Sequence, residues 1–207
     1  MLDNQENIGT PTETTPQPPA ETESRGKQIK AAFIDLLQTL ILAVLLYFAI
    51  DAVFARVRVL NISMQPTLVE GDVILVNKLA YKLGKMHTGD VVIFHNPNDL
   101  TEDYIKRLIG KPGDRVEVMD GVVYVNGEGL DEPYIADEPM YSGSWQVPED
   151  SIFVLGDNRN QSSDSHSWGF VPLEDVVGKA LVIYWPLDAM KVLSNSAASS
   201  ASGNLAP

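Results

Sequence analysis

The chain has no cysteine, which excludes disulfides, thiolate metal sites and a cysteine nucleophile. That absence does not fix a compartment, because an exported domain can simply avoid thiols. Histidine is scarce as well. His87, His95 and His166 are all that a Ser/His/Asp triad could draw on. Basic side chains are outnumbered, 15 Lys and Arg against 28 Asp and Glu, for a formal net charge of -13. No basic patch is evident in the sequence to neutralise the phosphates of a nucleic acid, so nucleic acid is not expected as a partner. Part of the negative charge belongs to the leader, where Asp3, Glu6, Glu13, Glu21 and Glu23 precede any lysine or arginine. Internal repeats are absent, and only one long apolar run occurs.

That run lies between Ala31 and Phe54 and is continuous from Leu36 to Ile50 apart from Gln38 and Thr39. With Asp35 and Asp51 at its margins, it approaches the ~20 residues needed to cross a bilayer. It is apolar on every face, unlike an interfacial helix. An acidic leader precedes it and no small-residue cleavage pattern follows, unlike a cleaved signal peptide. The chain is therefore expected to divide into a disordered leader 1–30, a transmembrane helix 31–54, a folded domain 55–193 and a disordered tail 194–207. The leader is rich in Pro, Thr, Gln and Glu, and the tail in Ser, Ala, Asn and Gly. At 207 residues there is room for one domain plus an anchor, and a hydrophobic fraction of 44% suffices for its core.

After Arg56 the pattern changes to short β-prone runs punctuated by Gly, Asp, Asn and Pro. Strands are predicted at 72–76, 91–94, 104–109, 116–119, 122–125, 152–155 and 180–185. Asp120-Gly121 and Asn126-Gly127 are hairpin signals. Only 173–177 suggests a short helix or turn. The predicted domain is mostly β.

Ser63 and Lys106 carry the chemistry. A serine hydroxyl needs a base to take its proton. A lysine can serve only when neutral, which requires an apolar setting that lowers its pKa. Lys106 has Tyr104, Ile105, Leu108 and Ile109 around it in an extended run. Four segments occur in order. They are Ser63-Met64-Gln65-Pro66-Thr67-Leu68 with Gly71-Asp72, then Gly89 to Phe94, then Tyr104 to Asp114, and finally Gly156 to Gly169. From about Leu36 to Pro186 the chain resembles the type I signal peptidases of peptidase family S26, membrane-bound serine proteases that remove leader peptides.

The resemblance implies an antiparallel, barrel-like coiled β-sheet domain behind a single transmembrane helix. It implies Ser63 as nucleophile, Lys106 as general base and then acid, and Ser162 as the group that orients the lysine. The Ser63 backbone amide would bind the oxyanion. Asn61 stands where many relatives carry serine or glycine, so its amide either joins the oxyanion donors or only caps the turn. Val57, Val59, Leu60, Met64, Leu68, Tyr104 and Ile105 match the substrate pockets and suit small residues in an Ala-x-Ala pattern. An extended peptide would add as a strand beside the Ser63 and Tyr104–Lys106 segments.

Arg107 and Arg159, near Asp157 and Asp164, would form a charged network fixing the last loop. His166 stands where relatives commonly carry arginine and would pair with Asp164. His87 and His95 are expected at the surface, and Lys78, Lys82 and Lys85 to reach solvent or flank a loop. Trp168 and Trp185 are expected in the core or at the membrane interface, and apolar residues around Trp145 or Val147 to dip into that interface.

The expected partners are signal peptides of secretory pre-proteins and the lipid bilayer, with a monomeric protein and no metal or organic cofactor. The expected location is a plasma (inner) or thylakoid membrane, with a cytoplasmic N-terminus and a periplasmic or lumenal domain. Arg25, Lys27 and Lys30 before the span, against Arg56 and Arg58 after it, favour that orientation only weakly. A self-cleaving repressor-type protease and an inactive membrane-anchored binding protein are the competing readings. The first would need a DNA-binding helix-turn-helix, and the second fits poorly with intact Ser63, Lys106 and Ser162.

Overall fold

A computed structural model describes residues 21–97, 99–193 and 198–199. Helix α1 spans Glu21–Val53. The strands are β1 (Phe54–Arg58), β2 (Val73–Asn77), β3 (Val91–Asn96), β4 (Asp99–Gly110), β5 (Arg115–Met119), β6 (Val122–Val125) and β7 (Glu128–Asp131). They continue with β8 (Gly143–Gln146), β9 (Ser151–Leu155), β10 (Val171–Pro172), β11 (Val176–Trp185), β12 (Lys191–Val192) and β13 (Ala198–Ser199). Two short helices, α2 (Ala80–Leu83) and α3 (Ser165–Trp168), complete the set, with 3-10 turns at Leu173–Asp175 and Leu187–Ala189. By contacts the chain divides into a unit of residues 1–47 and a unit of residues 48–207.

The helical segment from Arg25 to Val53 is 29 residues long with none of its most apolar stretch buried. At ~1.5 Å per residue it exceeds the ~30 Å of a bilayer's hydrocarbon core. Leu36, Leu42 and Phe48 are among its exposed apolar side chains. A helix apolar all round and uncovered by protein fits a single-pass membrane anchor. Its start corrects the expected boundary, since residues 21–30 were assigned to a disordered leader. Once the apolar span supplies the costly nucleus, Lys27, Gln28 and Lys30 extend the helix at little cost. Residues 1–20 lie outside the described residues, as does most of the tail, of which only Ala198–Ser199 is described, paired with β7.

The β unit holds two sheets in which every pairing is antiparallel. The larger runs β1-β2-β11-β3-β4-β9-β10, with β12 also on β11, and the smaller runs β13-β7-β6-β5-β8. The fold is thus mostly antiparallel β, as expected. The hairpin signals hold. Asp120 and Gly121 take φ of 49° and 78° between β5 and β6, and Asn126 and Gly127 take 54° and 84° between β6 and β7. These left-handed pairs match the right-handed twist of their strands. β1, β7 and β8 were not predicted, because segments such as Glu128–Asp131 are short and polar and owe their form to a neighbour. The Leu173–Asp175 turn falls where a short helix or turn was expected, but Val176 and Val177 belong to β11.

Three apolar clusters position the site. β3 is buried on both faces: Val91 and Ile93 pack with Ile74, Val76 and Ile183, while Val92 and Phe94 pack with Leu108 and Val154. The third joins the sheets through Ile109, Phe153 and Leu155 against Val116, Val118 and Val147. Trp145 packs on this third cluster and Val147 is buried in it, so neither is itself an exposed apolar side chain in the segment expected to meet a membrane interface. Trp168 packs in the core, whereas Trp185 is exposed with Leu187, Met190 and Val192 nearby in sequence.

Gly110 ends β4 where the sheets meet. A Cβ there would lie 2.5 Å from Val116 Cγ2 and 2.9 Å from Val147 Cγ2. Gly110→Ala should therefore overpack the junction and cost about 1–3 kcal/mol. A thermal melt should show a Tm lower by several degrees, at roughly 2–4 °C per kcal/mol. An unchanged Tm would show that the two sheets give way freely.

Candidate active site

Ser63 sits in the loop joining β1 to β2. Backbone bonds close the loop at its base, from Val59 N to Asp72 O at 2.8 Å and from Gly71 N to Val59 O at 2.9 Å. The buried Asp72 carboxylate accepts from Val69 N at 2.9 Å. Val59, Met64 and Leu68 are buried in the cluster formed by β1, β2, β3 and β11. These anchors flank Ser63, itself only 6% exposed, so its position follows from core packing.

Lys106 lies on β4 opposite Val92 of β3 and is 2% exposed. Its Nζ donates to Ser63 Oγ at 2.8 Å and to Ile105 O at 3.2 Å. Burial lowers its pKa to about 8, against the opposing pull of the Asp164 and Asp157 charges. The amine is therefore in reach of the serine and poised to be neutral at mildly alkaline pH.

The Ser63 hydroxyl donates to Asn61 Oδ1 at 2.9 Å, and the Ser63 backbone N–H reaches the same oxygen at 3.3 Å. Asn61 thus presents its acceptor, as in the capping reading, and the positions of its O and N exchange by a half-turn of the amide. Ser162 is brought close too. A Cβ on Gly156 would collide with both Ser162 Oγ and the Ser63 carbonyl oxygen, so these groups converge on a glycine that leaves them room. Ser162 Oγ is buried without a hydrogen-bond partner, so the lysine-orienting bond is not made. Lys106 is held instead by Ser63 and Ile105. Asn158 secures the serine loop from the same segment, its N donating to Ser63 O at 3.1 Å and its Nδ2 to Ile62 O at 3.2 Å.

The charged network forms with one change of partner. Arg107 binds Asp157 through Nε at 2.7 Å and Nη2 at 2.6 Å, and donates to Gly89 O at 2.7 Å. Its guanidinium lies 3.7 Å from the Tyr134 ring centroid. Arg159 pairs not with an aspartate but with Glu132, at 2.7 and 2.6 Å. Sequence reasoning missed Glu132, 27 residues away in a turn-rich segment with no periodic signal. His166 Nδ1 lies 2.7 Å from Asp164 Oδ1, as expected, and the ring stacks on Tyr141 at 4.0 Å. Asp164 Oδ2 accepts from Gly156 N at 2.8 Å, which ties this pair to the glycine beside Ser63.

The remaining assignments divide by exposure. Val59, Met64, Leu68 and Ile105 are buried together, with Val57 packed against them, and Tyr104 packs on the opposite cluster. Leu60, by contrast, is 74% exposed. His87 is at the surface, and His95 pairs with Asp103 at 2.7 Å. The described partners of the Ser63 side chain are Lys106 and Asn61, with no histidine among them. Also missed was Asp90, a buried carboxylate bound by Tyr81 OH, His87 N and Lys179 Nζ.

A family model described as "Signal peptidase, peptidase S26" matches residues 33–185. The "Probable signal peptidase I-2" of Synechocystis is 43% identical over 80% of this chain and 79% of its own. A signal peptidase I of Leptolyngbya laminosa is 40% identical over 85% of this chain and 92% of its own. A crystal structure of a signal peptidase I from Enterococcus faecalis is 34% identical, covering 46% of this chain and 96% of that one, with a TM-score of 0.43. Because the family match spans 33–185 and these relatives align over most of both chains, this chain belongs to the signal peptidase family, peptidase S26, and is a serine endopeptidase of the signal peptidase I type.

Proposed function

We propose that the protein removes leader peptides from exported pre-proteins after small residues of the Ala-x-Ala type, with Ser63 as nucleophile and Lys106 as general base. The observation that carries this reading is the 2.8 Å contact between Lys106 Nζ and Ser63 Oγ at a buried site. The neutral amine takes the hydroxyl proton, which requires that hydroxyl to turn from Asn61 towards Nζ. Oγ attacks the scissile carbonyl carbon, and the lysine ammonium then protonates the leaving amine. Water, deprotonated by the same amine, releases the acyl group. The ammonium formed in each half-cycle has the unpartnered Ser162 hydroxyl close to the reacting serine as an acceptor.

The sheet supports strand addition by the substrate. β9 pairs with β4 at Arg107, Leu108 and Gly110, while the same edge of β4 has no described partner at Tyr104–Lys106. A peptide in extended form can complete that edge beside Ser63. The apolar floor of Val59, Met64, Leu68 and Ile105 is already filled by side chains, which favours alanine-sized residues over bulky ones. The protein acts as a monomer in a plasma (inner) or thylakoid membrane, with its β unit on the periplasmic or lumenal side. Protease added to that side of sealed vesicles should digest residues beyond Arg56; full protection would overturn this orientation.

Ser63→Ala, Lys106→Ala and Lys106→Arg should each abolish cleavage of an Ala-x-Ala leader peptide with normal folding, since guanidinium keeps its proton. A base whose free-form pKa is about 8 is mostly protonated below that value. The wild-type kcat/KM should therefore rise about tenfold per pH unit below it and level off above it. Substantial turnover by Lys106→Ala, or a profile flat across that range, would remove the lysine from the mechanism.

Asn61 can be assigned by two substitutions. If its amide turns to donate to the oxyanion, both Asn61→Ala and Asn61→Asp should lower kcat by ~10²- to 10³-fold with little change in KM. If it only caps the turn as an acceptor, Asn61→Asp should keep nearly full activity.

A further inference from the structure

Away from the serine, four of the chain's 15 Lys and Arg residues line a single cavity of about 520 Å³. They are Lys78 beyond β2, Lys82 on α2, Lys85 in the following loop and Lys111 in the turn between β4 and β5. None of the four has an ion-pair partner among the described residues. Glu174 is the one acid on the wall. In a chain of net charge -13, this is a local excess of positive charge, four ammonium groups against one carboxylate on the wall.

The rest of the wall is largely apolar. Tyr81, Met86 and Val176 pack on the cluster under β3 and β4, and Val177 on its neighbour. A free phosphate would satisfy the ammonium groups but leave these carbons uncovered. An amphiphile with an anionic head satisfies both.

The position in the chain points to the source of that amphiphile. The backbone N–H of Lys78 donates to the carbonyl of Val53 at 2.8 Å, and Val53 is the last residue of α1. The cavity wall thus begins where the apolar helix stops. On the reading of α1 as a membrane anchor, that is the depth of the lipid headgroups. We propose that the cavity binds the headgroup of an anionic phospholipid, its phosphate among the lysines and its glycerol and first acyl carbons against the apolar wall. This rests on the anchor reading and is independent of the Ser63 chemistry. Lys78, Lys82 and Lys85, expected to reach solvent or flank a loop, would thus join Lys111 in tethering the β unit to the lipid surface.

The test uses the full chain in neutral detergent, with bound lipid counted by native mass spectrometry. Phosphatidylglycerol should bind one per chain and at least about tenfold tighter than phosphatidylcholine. Lys82→Gln combined with Lys85→Gln, both exposed and with no described hydrogen-bond or ion-pair partner on the side chain, should weaken phosphatidylglycerol roughly tenfold or more while leaving peptide cleavage unchanged. Arg25→Gln with Lys27→Gln and Lys30→Gln should leave binding intact, as should Ser63→Ala, which separates this site from the catalytic reading. Alkaline extraction of membranes checks the anchor on its own. Equal binding of the two lipids, no effect of the Lys82 and Lys85 changes, or displacement by inorganic phosphate would each overturn the proposal.

Discussion

An amine that takes a proton near neutral pH has to be kept from water, and the site is organised around that constraint. In water a lysine is neutral in well under 1% of molecules at pH 7. With its pKa lowered to about 8, Lys106 is neutral in about a tenth of them. Burial supplies this shift. β3 covers the backbone of Lys106 through Val92, and the serine loop closes over its tip because Val59, Met64 and Leu68 are drawn into the core. Hydrophobic packing of that loop therefore sets both the position of Ser63 and the basicity of Lys106.

Two buried carboxylates work against this. Asp164 and Asp157 both favour the charged lysine. Each has a cationic or potentially cationic partner that answers it, Arg107 for Asp157 and His166 for Asp164. A buried ion pair contributes little net stability, but removing one partner leaves an uncompensated charge in the interior. Near Lys106 such a charge would also favour the ammonium, so the network shapes the lysine's chemistry as well as the last loop. Unlike an arginine, His166 answers Asp164 with a full charge only when protonated.

Much of this was legible in the sequence, because it is written in local signals. Asp120-Gly121 and Asn126-Gly127 demand left-handed backbone, and short β-prone apolar runs place β3, β4 and β9. The ordered segments around Ser63 and Lys106 bring the two side chains together across 43 residues. What escaped depends on non-local partners. The ion pair between Arg159 and Glu132 joins two loops with no periodicity, and β8 is a strand because β5 lies beside it. Trp145 and Val147 resemble surface residues until Phe153 and its neighbours in the larger sheet pack against them. The direction of the Asn61 amide is a rotation that residue identity does not encode.

β4 shows how closely these demands are coupled. Lys106 and Arg107 are adjacent on a strand, so their side chains leave opposite faces. One meets Ser63, and the other meets Asp157 and Gly89. A slip of one residue would exchange them, placing a guanidinium that cannot lose its proton at the serine. The register is held on one side by the ladder with β3 and on the other by β9, whose pairing shifts between Leu108 and Gly110. Gly110 admits the methyl groups of Val116 and Val147 at that shift. The close contact of the two sheets, well away from Ser63, thus helps fix which of two neighbouring cations faces the serine.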